Sequence, residues 1–208
     1  MRVFATLKIL TLIAVLGLAS MAAADPIGST TFQGGTFSLS IQNVGGNTYQ
    51  VTYNANFDGW TGAQYMTGLN FKFGSTNWSN ASLISGPATW GQNIVGGPLT
   101  GGNLSQNGCN SQAASTFLCD QLSDANFTAT PTTGSYTWIY QLTFASPLTE
   151  ADLADNHIGA LFVNGDGSSR GILSTTISVP EPGSLSLLGS CLIFLAGFGR
   201  KLGRKQGL

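Results

Sequence analysis

The chain has very little charge. Of its 208 residues only 8% are Asp, Glu, Lys or Arg, against about 25% in an ordinary soluble domain. With 42% hydrophobic residues, this is not the composition of a disordered polymer, which needs low hydrophobicity and high charge. Seven prolines among 28 glycines, with no Gly-X-Y period, exclude a collagen-like chain. The basic residues are also misplaced for nucleic acid. Between residues 25 and 178 only Lys72 and Arg170 are basic, set against Asp25, Asp58, Asp120, Asp124, Glu150, Asp152, Asp155 and Asp166. No basic face can neutralise phosphates, so the body is not expected to bind DNA or RNA. One histidine and three cysteines form no zinc spacing, and neither Cys-x-x-Cys nor Gly-x-Ser-x-Gly occurs. No metal, no cofactor and no catalytic residue are expected.

The remaining basic residues lie at the two ends. At the N-terminus, Arg2 and Lys8 flank the start of an apolar stretch from Ile9 to Leu18, followed by Ala22-Ala23-Ala24 and then Asp25. A positive region, a short apolar region and a small-residue site read as a secretory signal peptide over residues 1–24, cut between Ala24 and Asp25. The apolar stretch makes about 15 Å of helix, too short for a hydrocarbon core of about 30 Å.

The C-terminus, residues 179–205, has three parts in order. Val179-Pro180-Glu181-Pro182-Gly183 comes first, then an apolar run over 184–199, then Arg200, Lys201, Arg204 and Lys205. The two prolines fix φ and push the residues before them extended, which holds Glu181 on a stiff segment that no helix can pass through. Ser184 can cap the helix that follows. That helix would be about 24 Å long, just short of a normal span. The basic cluster should stay cytoplasmic and halt translocation. A permanent single-span anchor would use the same residues. A GPI signal would not end in basic residues, and no Leu-Pro-x-Thr-Gly box occurs.

In these three parts, together with the signal peptide, the tail resembles the PEP-CTERM sorting signal of exopolysaccharide-producing Gram-negative bacteria. Two departures are Ser190-Cys191 inside the apolar run and Gly203 within the basic cluster; Cys191 reads as an apolar filler. The resemblance implies an exosortase as partner, a membrane-embedded cysteine transpeptidase-like protease that processes the chain near the Pro-Glu-Pro box. It further implies transient anchoring in the inner membrane, then transfer to the cell envelope, surface or extracellular matrix.

The body, residues 25–178, alternates. Phe37, Leu39 and Ile41 share one face, and after Gly45-Gly46-Asn47 so do Tyr49, Val51, Tyr53, Ala55 and Phe57. That reads as a hairpin with one wet side. Leu69, Phe71 and Phe73 repeat the period, as do Tyr136, Trp138, Tyr140, Leu142 and Phe144, while 158–163 is continuously apolar, as in a strand buried on both sides. A closing strand is expected from Ile172 to Val179. The one helical candidate runs from Thr149, a possible cap, to Asp155. Residues 74–131 read as long loops around short strands near Ile94-Val95 and Phe127-Thr128. The expected fold is all-β: a single antiparallel, jelly-roll-like β-sandwich between a signal peptide and a C-terminal transmembrane sorting helix.

Cys109 and Cys119, exported together, should form a disulfide worth about 3 kcal/mol. The aspartates nominate no catalytic pair by spacing, and His157 reads as a strand-end residue. Asn164, Asp166 and Ser168 imitate the start of a calcium loop, but Thr175 stands where a bidentate Glu belongs, so a polar hairpin turn is preferred. Trp60, Trp78 and Trp90 sit in Gly/Asn/Ser-rich stretches where an indole could stack on a sugar, whereas Trp138 is expected in the core. The reading is a non-catalytic surface or matrix protein associated with exopolysaccharide or biofilm. A carbohydrate-binding module using those tryptophans is the alternative, and a polysaccharide-acting enzyme is the third.

Overall fold

The computed structural model describes residues 25–74, 77–91, 94, 101–112 and 116–177. Ala22, Ala24, the 179–183 box, the apolar run over 184–199 and the cluster Arg200, Lys201, Arg204 and Lys205 lie outside the described residues. Among the described residues no helix is long and apolar enough to cross a membrane.

The elements are β1 (Asp25–Phe32), β2 (Gly35–Gly45), β3 (Thr48–Asn56), β4 (Tyr65–Phe73), β5 (Trp78–Ser85), β6 (Gly101–Ser105), β7 (Gly108–Gln112), β8 (Leu118–Gln121), a 3-10 turn at Asp124–Asn126, β9 (Ser135–Phe144), helix α1 (Glu150–Ala154), β10 (Asn156–Val163) and β11 (Ser169–Thr176). They form an all-β domain with two antiparallel sheets, arranged as a sandwich. One sheet is ordered β1-β2-β3-β9-β5 and the other β11-β10-β4-β8, while β6 and β7 pair as a separate hairpin. The described body opens with the β1–β2–β3 meander in the first sheet and closes with the β10–β11 hairpin in the second. Between them it changes sheet at every step from β3 to β4, β5, β8, β9 and β10.

Alternation builds the sheets. In β2, β3 and β9 every second side chain is buried, so each strand lays one apolar row on the opposite sheet. Turn chemistry sets the registers. Gln33 and Gly34 both have positive φ, 47° and 86°, as the tightest right-twisted hairpins require. A Cβ on Gly34 would collide with the Gly59 carbonyl.

The core is aromatic. Phe37 meets Phe162 edge-on at 5.8 Å, and Phe71 meets Tyr140 at 5.5 Å, contacts worth about 0.5–1.5 kcal/mol each beyond area burial. Trp138 is fully buried, as expected, and edge-on to Tyr53 at 5.6 Å. The Tyr53 hydroxyl crosses between the layers and donates to the Gly159 carbonyl at 3.0 Å. Strand β10 is buried almost throughout and β4 nearly so, as the continuous apolar run predicts. One face meets the other sheet, and the opposite face lies under the β6–β7 hairpin, where Leu104, Cys119 and Leu161 form a second apolar cluster.

Helix α1 carries its cap on Thr149, whose side chain accepts from the Asp152 N–H while Asp152 accepts from the Thr149 N–H. The region 74–131 departs from expectation: it contributes β5, β6, β7 and β8, and Phe127-Thr128 lies in a turn rather than a strand. Strand β5 is hidden from pattern reading because it is an edge. It has two register shifts, between Trp78 and Asn80 and between Leu83 and Ser85, and most of its side chains face solvent. Bulges of this kind blunt an edge against pairing with other chains.

Gly159 is the tightest point of the second sheet. A Cβ there would collide with Asn70 Oδ1 and stand 3.0 Å from the Leu173 carbonyl. Gly159→Ala should cost about 1–3 kcal/mol, read as a lower urea midpoint at unchanged slope; an unchanged midpoint would refute this packing.

Candidate functional site

Strand β8 is the pivot of the most unusual chemistry in the molecule. Its four residues pair with β4 from Leu118 opposite Phe71 to Gln121 opposite Gly68. Alternation sends Asp120 inward and Cys119 and Gln121 outward to the hairpin.

Asp120 has no exposed surface. Its carboxylate accepts from the Tyr140 hydroxyl at 2.7 Å and from the Gly91 N–H at 3.0 Å. Burial pushes its pKa up to about 6; the bonds from Tyr140, Gly91 and the Gln121 backbone only partly oppose this. The Tyr140 phenol is driven up as well, first by burial and then by the charge of Asp120. The loop that delivers Gly91 is anchored by Trp90, whose Nε1 donates to Thr130 Oγ1 at 2.7 Å and whose ring lies 5.0 Å from that of Trp138.

On the outward side, Cys109 and Cys119 form the expected disulfide, with Cα atoms 5.8 Å apart. The Cys109 N–H donates to Gln121 Oε1 at 2.6 Å. Two side chains of β8 therefore clamp the hairpin onto the sheet. Beside this clamp lies a groove of about 500 Å³ lined by residues of β4, β8 and β10, the hairpin tip and two turns.

Four other acids lie elsewhere. Asp152 caps α1, and Asp155 pairs with Lys72 at 3.1 Å. Asp166 accepts from the Ser168 N–H and hydroxyl within the β10–β11 turn, and Asp58 is exposed on a loop. Asn164, Asp166 and Ser168 thus sit in a hairpin turn, closed by bonds from the Asn164 N–H to the Ser168 carbonyl and from the Gly167 N–H to the Asn164 carbonyl. Among the described residues no group of three or more His, Cys, Asp and Glu is placed to hold a metal ion.

His157 lies 3.0 Å from Ser174 Oγ through Nε2. The Asp155 carboxylate, which could have oriented its ring, is engaged by Lys72. Partial burial lowers the His157 pKa, with the Lys72 charge adding and Asp155 opposing.

Two of the three tryptophans are placed differently from the sugar-stacking expectation. Trp78 and Trp90 are 6% and 5% exposed, so their rings fill the sandwich instead of facing solvent. Trp60 is half-buried, its ring 4.4 Å from that of Phe162 and its Nε1 bonded to the Ala63 carbonyl at 2.7 Å. With few aliphatics available, indoles complete the core.

Sequence reading did not single out Tyr140 as a partner for Asp120, nor Thr67, Gln121 and Phe127 around the groove. One signal was present: Gly68 inside an apolar strand marks a bulge or a close approach of chain segments. Here it is both, since a Cβ on Gly68 would stand 3.0 Å from Leu104 of the hairpin. No protein-family model and no curated protein matches the chain.

Asp120 yields a signed prediction. Its folded pKa near 6 exceeds the unfolded value near 4, so between those pH values the folded state keeps a proton that the unfolded state releases. Its stabilising contribution is therefore complete below about pH 4, falls as pH rises and is lost above about pH 6, a change of about 3 kcal/mol. Asp120→Asn cannot titrate. Wild type should lose about 3 kcal/mol relative to this variant from pH 4 to pH 7 in urea titrations; a constant difference would assign the titration elsewhere.

Proposed function

We propose that the chain is a non-catalytic exported protein of the cell envelope, surface or extracellular matrix, associated with exopolysaccharide or biofilm. In this reading residues 1–24 direct export through the inner membrane. The tail then holds the protein there until an exosortase processes it near Pro180-Glu181-Pro182. The observation that carries the reading is the ordered succession of Val179-Pro180-Glu181-Pro182-Gly183, a short apolar run, and Arg200, Lys201, Arg204 and Lys205.

One feature of the body supports it: the Cys109–Cys119 disulfide suits an oxidising compartment. The repeated exchange of strands between the layers favours a jelly-roll-like sandwich, and the transmembrane sorting helix belongs to the same proposal.

Intact-mass spectrometry of the protein from its own host is the test. The mature species should lack residues 1–24 and the tail beyond the Pro-Glu-Pro region, and should weigh 2 Da less than its fully reduced form, as one disulfide requires. Glu181→Ala should accumulate as an untrimmed, membrane-retained chain. A wild-type protein found whole in the inner membrane would sink the sorting proposal.

A further inference from the structure

We infer that the groove beside the β6–β7 hairpin binds a neutral saccharide, with the apolar face of a sugar ring against Phe127, Leu161 and Val163 and its hydroxyls against Thr67, Gln121 and Asn107.

Thr67 is the centre of the argument. Along the β4–β10 ladder Leu161 pairs with Gly68 and Phe162 with Met66, so Thr67 is the extra residue of a bulge. A bulge re-aims its side chain and is found beside binding sites more often than elsewhere. Thr67 lines the groove, is only 6% exposed, and its Oγ1 has no hydrogen-bond partner. An unpaired buried hydroxyl costs stability, and a ligand hydroxyl in the groove would satisfy it.

The remainder of the wall has matching chemistry. Gln121 commits Oε1 to the Cys109 N–H, which leaves its amide nitrogen as a donor. Asn107 is exposed at the hairpin tip. Gly108 lets the tip approach, because a Cβ there would collide with Gln121 Oε1. Leu161 and Val163 supply an apolar floor, and Phe127 a half-buried ring set edge-on to Tyr65 at 6.1 Å. No Asp, Glu, Lys, Arg or His is among the described lining residues. A charged ligand would lose hydration here without a counter-charge, whereas a neutral polyhydroxyl ring with one C–H face meets donors, acceptors and apolar surface together. The volume, about 500 Å³, lies within the ~300–1,000 Å³ typical of small-molecule sites. None of Trp60, Trp78 and Trp90 is among the described lining residues.

The inference rests on the export proposal for one thing only, the choice of exopolysaccharide as the natural source of the saccharide. The test is isothermal titration of the full-length chain in detergent, which needs no tail processing. The probes are tetrasaccharides of cellulose, mannan and dextran and the host's own neutral exopolysaccharide, with tetragalacturonate as the anionic control. At least one neutral probe should bind. Thr67→Val, Asn107→Ala and Phe127→Ala should each weaken it by about tenfold or more. Thr67→Val should also unfold at an equal or higher urea concentration, since it removes an unpaired buried hydroxyl. If Phe127→Ala fails to fold, the other two variants decide.

Absence of binding by every neutral probe, tighter binding of tetragalacturonate, or variants that bind like wild type would each overturn the assignment. Glu181→Ala should bind as wild type does. An untrimmed tail in the host would then count against sorting alone, and absent binding against the groove alone.

Discussion

Strand β10 carries apolar side chains on both faces and its neighbour β4 is buried nearly throughout, yet a two-layer sandwich can cover only one face of a sheet. The β6–β7 hairpin supplies the missing cover. Leu104 descends from it onto Leu161 and the disulfide, and the hairpin is held by one covalent bond and by the Gln121 amide. A loop closed by so few residues gains stability mainly because the unfolded chain loses freedom. Without that clamp the outer faces of β4 and β10 would stand exposed to water. The groove is the space left where the hairpin tip stops short of fully covering the sheet.

The same four-residue strand controls the inside. Asp120 faces inward between Cys119 and Gln121, where burial raises its proton affinity and Tyr140 and Gly91 supply its hydrogen bonds. A buried carboxyl with such partners can remain in a core at the cost of pH-dependent stability. It also ties the segment carrying Gly91 to the sheet interface, because Trp90 beside it reaches Thr130 and Trp138. Inner carboxyl and outer disulfide are thus neighbouring residues of one strand serving opposite faces.

Under the proposed function the molecule divides into an address and a cargo. The terminal segments carry six of the eight basic residues and, in that reading, the information for export and sorting. The body is nearly free of positive charge and has amide- and hydroxyl-rich faces. Such a surface has little electrostatic attraction for polyanions and makes its contacts by hydrogen bonding and apolar packing. A neutral saccharide in the groove would be held by the same two forces.

Much of this was legible from the residues alone, because alternation and turn chemistry are local. The β2–β3 hairpin, β9, the doubly buried β10, the Thr149 cap and the Cys109–Cys119 pair follow from spacing within short windows. Edge strand β5 was not legible because an exposed and bulged strand has no apolar period to read, and the hairpin β6–β7 was not because its strands, GGNLS and GCNSQ, are too short and polar to show one. The tryptophans show the same limit: a polar neighbourhood in sequence says little about which side of a sheet an indole occupies. Asp120 was one aspartate among several until β8 paired beside Gly68 and brought it under Tyr140. Thr67 became distinctive only because a bulge turned it into a groove whose other walls come from β8, β10 and the hairpin tip. Local order is encoded by neighbouring residues, while burial and the meeting of distant side chains are decided by long-range strand pairing, which no single window of sequence contains.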